Sequence, residues 1–241
     1  MSLRPLMALV NVFFCSCASH SVIRTTSAAP ELIFVPAGEY LIGSSKNKKA
    51  SDSELQWRGP FEHKLVVAGF YLDKFEISWA QFEECAQHRQ CDFLTSNNAP
   101  NLPAVVTFSA AQAYCKFRGM RLLTSIEWEV AARGVDGRNY PWGNALPRKE
   151  DYGLKVNDMS SDLAIAAYTG MVSAKNISPF GVIAMAGSVP EFVDSRVRLK
   201  DSIYGLARGS SGFDGWQTHE DLSVVAGQFT KRAGVRCGKS S

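Results

Sequence analysis

The chain has 241 residues, 46% apolar and 20% charged, with a formal net charge of +3. These are values of a folded chain with room for one large domain or two small ones. The cations are scattered, with only Lys46, Lys48 and Lys49 clustered in a polar loop, so the basic stripe that marks nucleic-acid binding is absent and no nucleic-acid partner is expected.

The N-terminus reads as an export signal. Arg4 is the positive charge ahead of a mostly apolar run, Leu6 to Phe14, which is interrupted by Asn11. That run is too short to span a bilayer as a helix but fits a signal-peptide core. Ser16-Cys17-Ala18 resembles the box in which a bacterial lipoprotein is cut and lipidated at cysteine. The expected layout is a signal over 1–16, a lipidated Cys17 with a tether over 17–30, and one domain over 31–241. The protein would then be exported and membrane-anchored, facing the periplasm or the cell surface. Several acyl chains at one cysteine would hold it firmly.

The domain is expected to open with two short strands, Leu32 to Val35 and Glu39 to Ile42, split by Pro36, as a hairpin or as paired short strands. Residues 44–59 form a polar excursion. His63 to Ala68 and Phe70 to Ile77 are rich in β-branched and aromatic residues and predict strands around Gly69. Ser78 is a good N-cap for a helix from Trp79 to about His88. A loop through Pro103 follows. Ser109 is the expected cap of a second helix, Ala110 to Arg118, closed by Gly119. Thr124 and Glu127 form a capping box for a third helix that runs to Arg133 and Gly134. From Val135 to Cys237 no long period appears, and loops with short strands are expected.

Several segments, in this order, carry a resemblance. They are Phe34-Val-Pro-Ala-Gly-Glu-Tyr, Phe70-Tyr-Leu-Asp-Lys-Phe-Glu-Ile-Ser, Ala113-Tyr-Cys115, and the run from Arg121 to Gly134 followed by Tyr140-Pro-Trp-Gly-Asn144. Ser178 to Phe192, Ala207-Arg-Gly-Ser210 and Ala233-Gly-Val-Arg-Cys237 continue it. The chain resembles the formylglycine-generating enzyme family, also called the sulfatase-modifying factor domain, over about residues 32–238. The resemblance implies an α+β, C-type-lectin-like fold, loop-rich, with short strands and about three helices. Within it, Trp128 is expected to bury its ring while Glu127 caps the turn. Arg208-Gly209 suggests a charged partner beside a turn that needs glycine.

The family's enzymes oxidise a cysteine of a sulfatase chain to formylglycine, using two cysteines with four residues between them. Such a soft thiolate pair suits copper(I). The corresponding stretch, Gly209 to Val235, contains no cysteine, so no catalytic residue is assigned and copper is not expected. His219, Asp214 and Glu220 match no metal spacing and read as solvated groups. Leu123 stands where the family usually has Pro, and Ser188, Pro190 and Phe192 replace the Asn and two Trp of its Gly-Asn-Val-Trp-Glu-Trp motif. The resemblance leaves Asn157, Ser188, Glu191 and Asp194 as candidate calcium ligands, with Ser188 a poorer oxygen donor than the Asn it replaces.

Of the six cysteines, Cys85, Cys91, Cys115 and Cys237 remain once Cys15 and Cys17 go with the signal and lipid. In an exported chain this set reads as disulfides. Cys85 and Cys91 flank a short loop and form the natural local pair. The resemblance supports the long bridge from Cys115 to Cys237, which matches one in the family. The expected function is a non-catalytic binding or scaffold module on the cell envelope. Phe213, Asp214, Trp216 and His219, with Trp57, are candidates for its binding surface. The partner class is an envelope protein or a glycan. The alternative is an active oxidoreductase of the family acting on a protein cysteine.

Overall fold

The computed structural model describes residues 30–43, 62–91, 100–145, 176–186, 189–209 and 227–241. The expected signal, lipid site, polar excursion and all of the tether but Pro30 lie outside them, as do Trp57, Asn157, Ser188, Phe213, Asp214, Trp216, His219 and Glu220.

The N-terminal strands do not pair with each other. β1 (Leu32–Val35) pairs with β4 (Phe70–Asp73), and β2 (Gly38–Ile42) pairs with β3 (His63–Val67), all antiparallel. The register runs on across the break, with Val35 opposite Phe70 and Gly38 opposite Val67. The four strands are therefore one bent ribbon, not a hairpin and its neighbour. A two-residue reversal favours positive φ, which proline cannot adopt, so Pro36 bends the chain without turning it back. β4 ends at Asp73, short of the Ile77 expected from composition, because the Asp73 side chain turns inward to Arg118 and the Cys237 N–H.

Each helix starts on a side-chain cap. In α1 (Trp79–Gln87) the Ser78 hydroxyl accepts from the Gln81 N–H, and Gln81 closes a capping box onto Ser78. α2 (Phe108–Phe117) is capped by Thr107, not Ser109: β5 (Val106–Thr107) runs straight into the helix, and the Thr107 hydroxyl accepts from the Ala110 N–H. β6 (Arg121–Leu122) leads to α3 (Ser125–Arg133), where Thr124 and Glu127 form the expected box.

The C-terminal part is more regular than its composition suggests. β7 (Glu191–Leu199) and β8 (Ser202–Arg208) form a long hairpin, and β9 (Gly227–Thr230) adds to β8. Its turn is Lys200-Asp201, with Lys200 at φ 53°, and it carries no Asn-Gly or Gly signal by which a sequence reading finds such turns. β10 (Arg232–Ala233) pairs with β5, and β11 (Cys237–Ser240) enters between β4 and β6, giving the sheet order β1-β4-β11-β6.

Two buried clusters lie against these sheets. One gathers Trp79, Phe82, Phe108, Tyr114 and Phe192 around α1 and α2. The other packs Val35, Tyr40, Phe70 and Leu72 against Leu123, Trp128, Met185 and Leu206. Leu123, in place of the family's Pro, is fully buried and lies so close to Gly238 that a Cβ there would collide with it.

Candidate functional site

The signature helix α3 is built around charge. Glu129 is 2% exposed, and its two oxygens take two arginines: Arg133 at 2.5 Å and Arg208 at 2.6 Å. Arg133 comes from one turn further along α3, Arg208 from the end of β8. The Gly43 N–H also donates to Glu129 at 2.6 Å. Arg133 spends its other donors on main-chain carbonyls, those of Gly43, Gly137 and Arg138. Burial pulls the Arg208 guanidinium below its ordinary pKa, while Glu129 pulls it back up. Beside it, Gly209 sits at φ 84°, where a Cβ would lie 2.9 Å from the Trp128 ring. The expected charged partner and the glycine turn are both present.

A second buried pair stands on the other side of Trp128. The indole N–H donates to Glu191 at 2.7 Å, and Arg236 holds the same carboxylate through Nη2 at 2.6 Å and Nε at 2.9 Å. Arg236 also donates to the carbonyls of Asp73, Lys74 and Ile183. Every oxygen of Glu191 is thus engaged within the fold. Asp194 lies three residues on, exposed, accepting only a long bond from Gln112 at 3.4 Å. Among the described residues these two candidate calcium ligands share no hydrogen-bond partner. Among the described residues no group of three or more His, Cys, Asp and Glu side chains could hold a metal ion.

Asp194 instead lines an open cleft of about 410 Å³. Gln112 and Lys116, one turn apart on α2, line it together with Met120 and Leu122. Arg121 borders it, with its guanidinium fixed by a two-pronged bridge to Glu127 at 2.7 Å. Sequence reasoning missed this cleft because no motif marks the stretch from Gln112 to Leu122 and Asp194 joins it from 72 residues beyond Leu122. It also missed Glu129, although the Glu129–Arg133 spacing was legible as a helical i,i+4 pair.

Both expected disulfides are formed. Cys85–Cys91 closes the end of α1, with Cα atoms 5.5 Å apart. Cys115–Cys237 ties α2 to β11, at 5.4 Å. Four of the six cysteines are therefore consumed, and the others, Cys15 and Cys17, stand at the N-terminus.

The family described as "Sulfatase-modifying factor enzyme 1-like domain" matches residues 19–240. The chain is similar to the uncharacterized protein YfmG of Bacillus subtilis, 24% identical over 73% of this chain and 44% of that protein. It is 33% identical to the inactive C-alpha-formylglycine-generating enzyme 2 of Bos taurus, over 45% of this chain and 38% of that protein. It is 36% identical to the formylglycine-generating enzyme of Thermomonospora curvata, over 39% of this chain and 33% of that protein. The chain thus spans less than half the length of these curated relatives. Among solved structures, PvdO from Pseudomonas aeruginosa shares the fold at a TM-score of 0.64 and 16% identity, covering 88% of this chain and 95% of that one.

Proposed function

We propose, from the premise that this chain belongs to the sulfatase-modifying factor enzyme 1-like family, that it is a non-catalytic binding or scaffold module held at the cell envelope by a lipid on Cys17. The observation that carries the reading is the account of thiols. The segment between Arg208 and Cys237 offers none, and Cys85, Cys91, Cys115 and Cys237 are taken by disulfides placed for structure. A dithiol that holds copper(I) has no residues left in the domain to make it. The buried Glu129 and Glu191 do not replace it, because their oxygens are held by arginines and other donors within the fold. The kinship with a relative that bears the name of an inactive enzyme agrees with this reading.

The test is incubation of the purified protein with copper(I), oxygen and a peptide bearing a sulfatase-type cysteine motif. The expected result is no aldehyde above the control without protein. Conversion of that cysteine would establish instead the second reading, a family oxidoreductase, which the 36% identity to an enzyme of that name favours. Mass spectrometry of the membrane-extracted protein tests the anchor: an acylated N-terminal Cys17 is expected, and recovery only of a soluble form starting at Ala18 or later would refute it.

A further inference from the structure

The outer half of β7 is far more exposed than its start. Glu191, Phe192 and Val193 are buried, but Asp194, Arg196, Arg198 and Leu199 are exposed, Leu199 at 55%. The order β7-β8-β9 leaves β7 at the edge of its sheet. The Asp194 N–H donates to the Leu123 carbonyl at 2.7 Å; beyond that point, among the described residues, the main chain of β7 bonds to β8 alone. Such an edge presents unpaired N–H and C=O groups that template another strand.

This edge is continuous with the cleft, since Asp194 belongs to both. Along the path from cleft to hairpin tip stand Lys116, Arg196, Arg198 and Lys200, none of which makes an ion pair among the described residues. Arg196 bonds only to the Gln112 amide at 3.4 Å and lies over the Phe108 ring. Arg121 is already neutralised by Glu127. The carboxylates on the same path are Asp194 and Asp201, so positive charge is in excess there. Met120 and Leu122 in the cleft lining supply an apolar seat at one end.

We propose that this path is a docking site for an extended acidic segment of another protein. The segment adds to the free edge of β7 as a strand, sets one apolar side chain over Met120 and Leu122, and faces its carboxylates to Lys116, Arg196, Arg198 and Lys200. Main-chain bonds supply affinity in this mode and the side-chain seats supply specificity. The proposal rests on the reading of the domain as a binding module and gives that module a partner chemistry.

The probe is a fluorescein-labelled peptide of about eight residues, the length of an ordinary strand, alternating Glu with Val and carrying one Leu. Its binding to the full-length protein is followed by fluorescence anisotropy. Saturable binding is expected, weakened about tenfold or more by the paired exposed substitutions Arg198→Glu and Lys200→Glu. The same peptide with alternate amides N-methylated should not bind, because its strand hydrogen bonds are gone. A protein that fails to bind the acidic peptide would overturn the proposal and leave the cations as shields of a strand edge against self-association. So would equal binding of the N-methylated peptide, which would mean charge attraction without strand addition, or equal binding by the double variant. Formylglycine formation is read in a separate assay, so failure here leaves the non-catalytic reading standing, and turnover there leaves the peptide result to be judged alone.

Discussion

The two halves of the interior are pinned by different means. Around α1 and α2 the core is aromatic and covalently tied: both disulfides are buried there, among Phe82, Phe108 and Tyr114. Around α3 the buried cluster holds no cysteine, and buried ion pairs hold the centre instead. The difference follows from what each half must satisfy. Helices satisfy their own backbone groups, so the first half needs only packing and a clamp. The second half is fed by irregular chain whose carbonyls need donors. Arg133 and Arg236 supply them, each holding a carboxylate with part of its guanidinium and loop carbonyls with the rest. An arginine has five donors in a planar fork, which suits this dual task in a way lysine does not.

The contrast is sharpest under a change that touches one half alone. Replacing both Cys115 and Cys237 by Ser releases a loop of 122 residues and should cost about 4 to 5 kcal/mol in the chain-entropy account. Chemical denaturation of the variant checks this. The other half has its own largest test. Glu191→Leu leaves Arg236 buried without a carboxylate and should cost about 3 to 4 kcal/mol, and adding Arg236→Met should recover little of it, because the carbonyls of Asp73, Lys74 and Ile183 then lose their donor. A double variant close to wild-type stability would mean that these carbonyls do not depend on Arg236. Between these and the small effects lies the short bridge. Removing Cys85–Cys91, which spans six residues, should cost about 2 kcal/mol by the same loop-entropy account, since less freedom is withheld from the unfolded chain.

How far the sequence disclosed this arrangement depended on whether the signal was local. The caps at Ser78 and Thr124 stood in the sequence because a cap and its partner are three residues apart. The cap of α2 was misplaced by two residues because Thr107 and Ser109 are both competent, and only the strand leading into the helix selects Thr107. The disulfides were legible from cysteine spacing and family likeness together. The bent ribbon was not, since choosing β4 over β2 as the partner of β1 depends on the distant chain around Gly69. Nor was the hairpin of β7 and β8, whose turn uses Lys200 at a positive φ without a glycine. Arg208 reaches Glu129 from 79 residues away and Arg236 reaches Glu191 from 45, separations at which one sequence carries no pairing signal.

The smallest effect concerns acid, and it separates buried charge from half-buried charge. Burial alone would raise the pKa of Glu127, but Arg121 and the Thr124 N–H outweigh it and hold the carboxyl below its ordinary value. The sign then follows. A carboxylate with a depressed pKa in the folded state contributes stability above its unfolded value, near pH 4.3, and loses it as pH falls through the folded value. Glu127 sits at the start of α3, so its loss should loosen the first turn of the helix that carries Trp128 and Glu129. Glu127→Gln isolates this contribution. Glutamine still serves the capping box, so the variant keeps the turn near neutral pH but gives up the charged bridge to Arg121. Arg121 is well exposed on one side of that bridge, so the loss near neutral pH should be under about 1 kcal/mol. The two proteins should therefore differ slightly near pH 6 and converge in acid, once the pH has fallen through the lowered pKa of the folded-state carboxyl. Denaturation midpoints measured across that range decide it. A difference that persists unchanged into acid would mean that the bridge contributes nothing through charge, and that α3 is held by Glu129 and its arginines alone.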